Sequence, residues 1–341
     1  MTGNVLLTFN PGSSSIKLGL FAIDAGAARA IARCTFDASP DALSGVMAKA
    51  LDWVNDAAPR ARLVAAGHRV VHGGDAFEGP VAITEGTLAA IEALASLAPL
   101  HQPQSLRLIH ALRRVAPALP QSASFDTAFH CSQSAASRRY ALPRALFDQG
   151  IRRYGFHGLS YQCIASQLRQ QHPGIAAGRV VVAHLGSGAS LCGLLHGASR
   201  ETSMGFSTLD GIPMATRSGA LDPGVLIHLL RQPGQSIDTV EDMLYHRSGL
   251  LGLSGVSGDV RELLASDAPE AHEALVFTAG VGENQPAVRD AVCRHLAWLG
   301  VPPGPEDARI AVLVMHTDEE QVIADEACQV LSLHPTPGAC P

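Results

Sequence analysis

The segments NPGSSSIK (residues 10–17) and HLGSGASL (residues 184–191) each join two apolar, strand-like runs. Glycine allows the tight backbone geometry of such loops, whose N–H groups can then face an anion. A phosphate group is the expected ligand. Because the two loops lie about half a chain apart in similar settings, the sequence indicates two related halves that face one phosphate-bearing ligand, as in a phosphotransferase.

These loops have a structural alternative, because Gly/Ser segments are most often simple turns. The common nucleotide-binding fingerprints give no further support. The chain has no GxxxxGK[ST] phosphate loop, and no GxGxxG motif opens a helix after a strand. The phosphotransferase interpretation therefore depends on other residues.

Composition restricts the class of protein. The 341 residues are enough for two domains, and 47% hydrophobic with 16% charged residues predicts a globular protein with a large core. A net charge of −6 without a block of like charges gives no sign of a nucleic-acid or membrane partner. No apolar run approaches a membrane span and no signal peptide is recognisable, so we expect a cytoplasmic protein. The seven scattered cysteines, without a CxxC pair, are typical of reduced thiols.

Hydrophobic periodicity predicts strands that alternate with helices, the pattern of an α/β fold. In the first half, strands are predicted at 5–9, 16–23, 30–36, 63–71 and 122–125, and helices at 40–55, 84–97 and 103–115. In the second half, strands are predicted at 179–184, 190–195, 274–278 and 310–315, and helices at 160–171, 223–230, 238–245, 285–299 and 318–331. No low-complexity linker separates the halves.

Charged residues end two of the apolar strands. GHRVVHGG (residues 67–74) places Arg69 beside glycine-rich backbone, where a guanidinium can grip carboxylate or phosphate oxygens in bidentate fashion. FDTAFH (residues 125–130) places Asp126 at the end of a strand, where functional loops of α/β folds begin. Both residues are therefore candidate site residues.

Three further motifs lie in the second half. YGFHGLS (residues 154–160) offers His157 just before a helix, and TRSGALDPG (residues 216–224) offers Arg217 beside a glycine. FTAGVGEN (residues 277–284) is predicted to be a strand, a glycine turn and a helix start, whose N–H groups can hold a nucleotide.

In this order, the motifs resemble those of the acetate kinase family of acetate and propionate kinases, within the sugar kinase, Hsp70 and actin superfold. The resemblance extends from residue 6 to about residue 327 and is carried by GHRVVHGG, FDTAFH, RRYGFHG and SGLLGLSG. It implies two ribonuclease-H-like domains of actin/Hsp70 type with a central cleft. Residues 1–128 plus 318–341 would form the N-terminal, carboxylate-side domain, and residues 129–317 the nucleotide-binding domain.

The resemblance implies reversible transfer of the γ-phosphoryl group of ATP to acetate, which gives acetyl phosphate and ADP. Arg69 and Arg217 match the family's active-site arginines, His157 its transition-state histidine, and Asp126 the acidic residue usually called the base. A carboxylate substrate is already ionised near pH 7, because its pKa is about 4 by analogy with Glu. We therefore assign Asp126 to orienting the arginines, the substrate or a metal-bound water.

The resemblance also assigns binding residues. Magnesium is expected at Asn10 and Glu319, because the charge of the nucleotide must be bridged. The acyl group is expected to meet Arg69, Val71, Leu100 and Phe156. The nucleotide is expected to contact Lys17, His184, Leu185, Gly186, Ser187, Gly188, Asp259, Val260, Arg261, Gly280, Val281, Gly282, Glu283 and Asn284. A homodimer is also implied.

Each charged candidate has a structural alternative. A strand-end arginine such as Arg69 often forms a surface ion pair, and an isolated His157 is often structural. Asp126 can simply cap a helix, and Glu319 can stabilise a helix dipole. The joint occurrence of Arg69, Asp126, His157 and Arg217 favours function, because a protein that only binds a nucleotide does not need all four.

The chain departs from the family pattern at several positions. Ser187 replaces the asparagine of HLGNGAS, Ala220 replaces an aspartate, Ala279 replaces a glycine, Pro11 replaces an alanine, and Thr208 stands where a proline commonly lines the acyl pocket. None of these changes removes a charged catalytic group.

The largest departure is the segment ELLASDAPEAHE (residues 262–273), where relatives carry tens of additional residues and a long amphipathic helix. It barely reaches the length of a crossover between parallel strands and offers no apolar face to the sheet. We therefore interpret the second domain as trimmed. The main hypothesis is an acetate kinase. The alternatives are a nucleotide-binding protein of this fold with impaired catalysis, and a kinase that prefers propionate or butyrate.

Overall fold

The computed structural model describes residues 3–12, 15–24, 26–37, 40–99, 101–268, 284–296 and 311–333. The chain divides into two compact units. The first comprises Met1–Ser132, Phe156–Ser166 and Thr317–Pro341, and the second comprises Gln133–Gly155 and Gln167–His316. The predicted domains differ from this division in placing residues 129–132, 156–166 and 317 with the second half, and as functional domains they remain a prediction.

A six-stranded mixed sheet forms the centre of the first unit, with the order β3-β2-β1-β4-β6-β5. Its strands are β1 (Asn4–Pro11), β2 (Ser15–Asp24), β3 (Ala27–Asp37), β4 (Arg62–Val70), β5 (Val81–Ala82) and β6 (Gln121–Phe125). Strand β4 runs parallel to β1 and to β6, and the other neighbours are antiparallel. The carboxyl ends of β1, β4 and β6 therefore lie at one edge of the sheet.

Helices cover both faces of this sheet. Alternate residues of a strand face opposite sides, so Leu7 and Phe9 pack with α1 (Pro40–Ala57) and α3 (Gln102–Val115), whereas Leu6 packs with the C-terminal helix (Glu319–Val330). That helix lies very close to β4. A Cβ atom at Gly67 would be only 2.8 Å from Cγ2 of Ile323.

The remaining helices of the first unit are shorter. Thr84 caps α2 (Glu85–Ala93) through a capping box with Thr87, and a 3-10 turn, Ala95–Leu97, follows the helix. Helix α5 (Gly158–Gln171) begins in this unit and packs Leu159 and Cys163 against the C-terminal helix. A second 3-10 turn, Ala128–Ser132, follows β6.

The described part of the second unit contains an antiparallel sheet of three strands, β7 (Arg179–Leu185), β8 (Ala189–Leu195) and β9 (Ala198–Thr202), in that order. Its helices are α4 (Arg144–Asp148), α6 (Pro173–Ala176), α7 (Pro223–Leu230), α8 (Ile237–His246), α9 (Gly249–Ser254), α10 (Val260–Ala265) and Pro286–His295. Side-chain caps start three of them, because Asp222, Ser236 and Asp259 accept backbone N–H groups at the starts of α7, α8 and α10.

The predicted α/β alternation is confirmed for most elements, and one predicted strand is wrong. Residues 311–315 form no strand. Val312, Leu313 and Val314 are 41–53% exposed, and no described strand pairs with them. An apolar run becomes a strand only when a neighbouring strand supplies hydrogen bonds, and 274–278, the other strand predicted in this part of the chain, lies outside the described residues.

For the segment after Arg261, the sequence predicted no apolar face toward the sheet, and the described residues leave that expectation untested. Helix α10 occupies its first residues, and Leu263 is fully buried with Val260, Leu250 and Val288 in a small core. A short amphipathic turn is therefore enough to anchor this part of the chain.

Among the described helices, none is both long and apolar enough to cross a membrane.

Candidate active site

The first Gly/Ser loop forms the tip of the β1–β2 hairpin. Asn10 and Lys17 face each other as register partners across this hairpin. Asn10 is buried and Lys17 is exposed. Gly12 N–H donates to the Ser15 carbonyl oxygen (2.7 Å), which closes the turn. The strand-loop-strand setting predicted for this loop is confirmed, and it places Asn10 at the carboxyl edge of β1.

Arg69, near the end of β4, is held by the neighbouring strands. Its Nε donates to Asp126 Oδ1 (2.9 Å) and its Nη2 to Asp126 Oδ2 (2.6 Å), a bidentate pair. Its Nη1 donates to Asn10 Oδ1 (3.1 Å) and to the Pro11 carbonyl oxygen (3.2 Å). Asp126 follows β6 directly, so three adjacent strand ends bring these side chains together.

The first turn of the C-terminal helix adds two carboxylates. Asn10 Nδ2 donates to Glu319 Oε2 (2.9 Å) and to Glu320 Oε1 (2.7 Å). Asp318 accepts Gln321 N–H as the helix cap and forms an ion pair with Arg33 on β3. Glu320 is buried, and the sequence analysis missed it. Its only sequence signal was its place beside Glu319 at a helix start.

The carboxylates dominate the electrostatics of this cluster. Burial alone would lower the pKa of the Arg69 guanidinium, but Asp126, Glu319 and Glu320 raise that pKa above its usual range. Three carboxylates thus surround one guanidinium, which leaves the cluster with an excess of negative charge. Such a cluster favours a cation.

The segment that contains His157 is joined to Asp126 by a backbone hydrogen bond. Gly158 N–H donates to the Asp126 carbonyl oxygen (3.0 Å), and a Cβ atom at Gly158 would overlap that oxygen. His157 itself is buried and has a φ of 59°, in the left-handed region that non-glycine residues rarely adopt. Such a conformation costs on the order of 1–3 kcal/mol and is common at functional sites.

The apolar residues assigned to the acyl group are buried where the structure describes them. Val71 and Phe156 are 4% and 1% exposed. The ring of His72 meets that of Phe156 edge to face, with centroids 5.7 Å apart, and His130 Nε2 donates to the Phe156 carbonyl oxygen (2.9 Å). Leu100 lies outside the described residues.

The second Gly/Ser loop forms the β7–β8 hairpin in the second unit. Within it, Gly186 N–H donates to the Gly188 carbonyl oxygen (3.0 Å). The Ser187 carbonyl oxygen accepts Ala215 N–H (3.2 Å), which ties this loop to the segment that carries Arg217. His184 and Leu185 end β7, opposite Ser190 and Ala189. The structure therefore brings the predicted phosphate loop and Arg217 into one region.

Arg217 is half-buried in a neutral setting. Its Nη1 donates to the Thr208 carbonyl oxygen (2.9 Å), and among the described residues no carboxylate forms an ion pair with it. Burial lowers the pKa of Arg217, and the nearby Tyr245 opposes that shift. A desolvated guanidinium without a carboxylate is suited to receive an anion.

The residues assigned to the adenosine are described in part. Asp259 caps α10 and pairs with Arg261, whose side chain is 78% exposed, and the hydrogen bonds from Arg261 lower the pKa of Asp259 to about 2. The Val260 side chain belongs to the small core with Leu250, so only its backbone is available. Asn284 is exposed. Gly280, Val281, Gly282 and Glu283 lie outside the described residues.

No group of three or more His, Cys, Asp and Glu side chains in the described ranges has the arrangement of a metal centre. Magnesium does not need one, since it usually keeps several waters and binds through one or two carboxylates plus substrate phosphates. The oxygen donors of Asn10, Glu319 and Glu320 suit such partial coordination. Their chemistry therefore fits magnesium.

Comparison with known proteins gives consistent results. A family model described as the Acetokinase family matches residues 32–274 and 269–327. The acetate kinase of Rhodopseudomonas palustris is 44% identical over 317 residues, which cover 82% of this chain and 80% of that protein. The acetate kinase of Rickettsia felis is 33% identical over 384 residues, which cover 96% of this chain and all of that protein.

Solved structures show the same similarity. The acetate kinase of Porphyromonas gingivalis is 28% identical, with a TM-score of 0.81 over 96% of this chain and all of that one. A propionate kinase from Francisella tularensis is 30% identical, with a TM-score of 0.83 over 97% of this chain and all of that one. These neighbours support an actin/Hsp70-like α/β fold for the chain.

Proposed function

Because this chain belongs to the acetokinase family, we propose that it transfers the γ-phosphoryl group of ATP to acetate, giving acetyl phosphate and ADP. The observation that carries the proposal is the cluster of Asn10, Arg69 and Asp126 at three adjacent strand ends, with Glu319 and Glu320 bound to Asn10. A structural ion pair would need one carboxylate, whereas this cluster contains three.

Arg69 has one role in this proposal. Four of its hydrogen bonds go to Asp126, Asn10 and Pro11, which leaves one of its five N–H groups for a ligand, counted over the described residues. The guanidinium is thus fixed in orientation before a substrate arrives. It can bind an oxygen of the substrate carboxylate or of the transferring phosphoryl group without a reorganisation cost.

Asp126 fixes Arg69 and needs no proton for the reaction. The attacking acetate oxygen is ionised near neutral pH. Both carboxylate oxygens of Asp126 are engaged by Arg69, and its side chain is only 2% exposed. We therefore propose a positioning role for Asp126 rather than a role as general base.

His157 and Arg217 supply the remaining polar groups. The strained backbone of His157 presents its imidazole from the segment that is hydrogen-bonded to Asp126. Arg217 offers positive charge that no described carboxylate neutralises. In the proposed reaction both stabilise the charge that spreads over the equatorial oxygens during transfer.

The nucleotide and metal complete the proposal. Asn10, Glu319 and Glu320 would hold magnesium, which when bound bridges the phosphate charges of ATP. Lys17 and the backbone N–H groups of residues 186–188 would bind phosphates, and Asp259 with residues 280–284 would bind the adenosine. The fold proposed with this function has two ribonuclease-H-like domains, the second one shortened.

Two comparisons support the shortened second domain. The Rickettsia felis relative aligns over 384 residues, more than the 341 of this chain. The family-model match is also broken into two parts, which meet at residues 269–274. Both comparisons are in line with the proposal that the chain is shortened after α10. The kept charged residues and the buried Leu263 favour an active kinase over a protein that only binds nucleotide.

A hydroxamate assay for acetyl phosphate, with magnesium-ATP and acetate, tests the proposal. We expect turnover that requires all three components, and Arg69→Ala protein provides the control. Magnesium-ATP binding without acetyl phosphate would overturn the kinase proposal in favour of an impaired nucleotide-binding protein. Parallel assays with propionate and butyrate measure which chain length the protein prefers. A preference for propionate is the second candidate function, because a propionate kinase is among the similar structures.

The proposal includes a homodimer. Helix α7 exposes Val225, Ile227 and Leu230, and their burial would remove apolar surface from water. Light scattering measures the assembly against the chain mass of 35.6 kDa. We expect twice this mass, and Ile227→Glu should weaken the association. A single-chain mass at working concentration would contradict the dimer.

A further inference from the structure

The C-terminal helix begins at the carboxylates that we propose to hold magnesium. Glu319 and Glu320 are its first two residues, and both accept hydrogen bonds from Asn10 Nδ2 (2.9 and 2.7 Å). Ordering a glutamate side chain costs rotamer entropy, and one shared amide is a small restraint for two such side chains. The backbone just before the helix therefore decides how well the carboxylates are placed.

Thr317 and Asp318, the two residues before this helix, are held by one face of α5. Thr317 Oγ1 donates to Ser160 Oγ (3.0 Å), and Asp318 N–H donates to Cys163 Sγ (3.3 Å). Ser160 and Cys163 are three positions apart, so they lie on the same face of α5. Both side chains are buried. The start of the C-terminal helix thus has two adjacent attachments to α5.

The same two helices also contact each other further along. Gln162 Nε2 donates to Glu326 Oε1 (2.8 Å), and Leu159 packs in the same small core as Ile323. These contacts lie beyond the first turn of the C-terminal helix, so they hold its axis rather than the backbone before it. Loss of the Thr317 hydroxyl should therefore leave the two helices packed.

The attached part of α5 is its first turn, next to the histidine. The His157 carbonyl oxygen accepts Tyr161 N–H (3.1 Å), as the residue before a helix does. Gly158 N–H donates to the Asp126 carbonyl oxygen (3.0 Å), and Ser160 lies two residues later. One helical turn is therefore hydrogen-bonded both to Asp126 and to the start of the C-terminal helix.

We propose that the hydroxyls of Ser160 and Thr317 position the two carboxylates at the start of the C-terminal helix. Their hydrogen bond fixes where this helix begins relative to the turn that follows His157, so the carboxylates are in place before a cation arrives. The inference rests on the proposed function, in which Glu319 and Glu320 hold magnesium. Neutral hydroxyls suit this task, because a basic side chain at the same place would neutralise the carboxylates that the cation needs.

The variant Thr317→Val tests the proposal, because it removes the hydroxyl and keeps the branched shape of the side chain. Mn²⁺ serves as the probe, since it prefers the same oxygen ligands as Mg²⁺, and the EPR signal of the free ion measures its binding at a fixed ADP concentration against a blank without protein. We expect the Mn²⁺ dissociation constant to rise about fivefold. The magnesium concentration for half-maximal turnover should rise in proportion, with kcat at saturating magnesium within about twofold. An unchanged dissociation constant would overturn the inference.

Two further variants separate positioning from general stability. Thr317→Ser keeps the hydroxyl, so its Mn²⁺ dissociation constant should stay within about twofold of the wild type. Thr87→Val is the matched control, because Thr87 Oγ1 accepts Thr84 N–H (2.8 Å) and donates to the Ala82 carbonyl oxygen (2.9 Å) at the start of α2. Its loss should lower the melting temperature and leave Mn²⁺ binding unchanged. Equally weakened Mn²⁺ binding in Thr87→Val would attribute the effect to lost stability and overturn the inference.

The partner hydroxyl gives an independent test. Ser160→Ala removes the acceptor and should raise the Mn²⁺ dissociation constant by about the same factor as Thr317→Val. In the double variant the two effects should not add, because both remove the same hydrogen bond. Additive effects would overturn the inference. Ser160→Ala also provides the test if Thr317→Val does not fold.

The outcomes also separate this inference from the proposed function. Wild-type protein that binds no Mn²⁺ overturns the proposed metal site and the inference with it. Wild-type protein that binds Mn²⁺ and forms no acetyl phosphate overturns the kinase proposal alone, since the Mn²⁺ measurements still decide the inference. Active wild-type protein with an unchanged Mn²⁺ dissociation constant in Thr317→Val overturns the inference alone.

Discussion

Arg69 and Arg217 are both assigned to phosphoryl transfer, yet the two regions hold them in opposite ways. Arg69 lies in a bidentate pair with Asp126 and close to Glu319 and Glu320. Arg217 donates to the Thr208 carbonyl oxygen (2.9 Å), and among the described residues no carboxylate forms an ion pair with it. The pKa shifts have opposite directions for this reason, raised for Arg69 and lowered for Arg217.

The difference indicates a division of tasks. Carboxylates fix the direction of Arg69 and neutralise much of its charge in the free protein, so this arginine is mainly an oriented donor. Neutral oxygens leave the charge of Arg217 uncompensated, so in the proposed reaction this arginine mainly attracts an incoming phosphate by its charge. Each task can be disturbed separately.

The largest expected effects come from removing each arginine. Arg69→Ala and Arg217→Ala should each lower kcat by on the order of a hundredfold or more, because each removes a preorganised donor. Only Arg69→Ala should also lower the free energy of unfolding, by about 3–5 kcal/mol, since the charge of Asp126 stays buried without its guanidinium. Kinetics and urea unfolding measure the two effects.

The exposed Arg60, also in the first unit, provides a control. Arg60→Ala should change neither kcat nor stability. Equal stability losses in Arg69→Ala and Arg217→Ala would remove the distinction between the two regions, and near-wild-type turnover in both would remove their catalytic assignment.

Acid should weaken the region of Arg69 through buried histidines. Burial lowers the pKa of His68, His72 and His130 to about 4, from 6.5. Between pH 6.5 and 4 these histidines are therefore protonated in the unfolded chain and neutral in the folded protein. The free energy of unfolding falls as the pH falls through this window. Each histidine can contribute up to about 3 kcal/mol.

Urea unfolding at pH 7.5, 5.5 and 4.5 checks this prediction. His68 Nε2 donates to Gln121 Oε1 (2.8 Å), so His68→Gln keeps a donor without a titrating ring. It should reduce the loss between pH 6.5 and 4, whereas His246→Gln, at an exposed position, should not. An unchanged pH dependence in His68→Gln would show that this ring is not a source of the acid sensitivity.

Displacing the C-terminal helix should disturb the carboxylates around Arg69. Gly67→Ala places a methyl group against Ile323 and should cost about 1–3 kcal/mol of stability, because the packed face has no room for it. Turnover should also need a higher magnesium concentration to reach half its maximum, because Glu319 and Glu320, which we propose to hold the metal, lie on this helix. Thermal unfolding and magnesium titration measure both.

Gly45→Ala is the matched control, because Gly45 lies in α1 with no atom near its missing Cβ. It should be neutral or stabilise by up to about 1 kcal/mol, as alanine does in a helix. Destabilisation of equal size in both variants would contradict the assigned close approach.

The smallest expected effect is that of Asp126→Asn. This variant leaves Arg69, like Arg217, without a carboxylate in a bidentate pair. The amide keeps the shape of the pair and removes its charge, so kcat should fall about tenfold through a less fixed guanidinium. The substrate needs no base, so the pH profile of kcat should keep its shape. A limb near neutral pH that is present in the wild type and absent in the variant would restore a general-base role.

The sequence predicted best what local patterns determine. Apolar runs predicted β1, β2, β4, β7 and β8 within a few residues, because a short apolar run bounded by turn residues is a strong strand signal. The β1–β2 and β7–β8 hairpin loops could be predicted because glycine and serine are concentrated in them. Arg69 and Asp126 could be identified, since both end strands that are parallel neighbours in the sheet.

Long-range contacts explain what the sequence did not predict. In the sequence, Glu320 is one of two acidic residues at the start of a predicted helix. Its contact with Asn10 depends on the packing of that helix against β4, which the sequence does not show. The run 311–315 has the composition of a strand but lacks a described partner.

The bond between Asn10 and Glu319 joins residues 309 positions apart. At a synthesis rate of about 5–20 residues per second, Asn10 leaves the ribosome roughly 15–60 s before its partner is made. The six-stranded sheet can form during that interval, because its strands all precede residue 126. The face of β4 at Gly67 stays open until the helix Glu319–Val330 has been made. A nascent chain therefore acquires the carboxylates that we propose to hold magnesium well after the strands of its sheet, so a chain cut before residue 319 keeps the strands and lacks the proposed cation site.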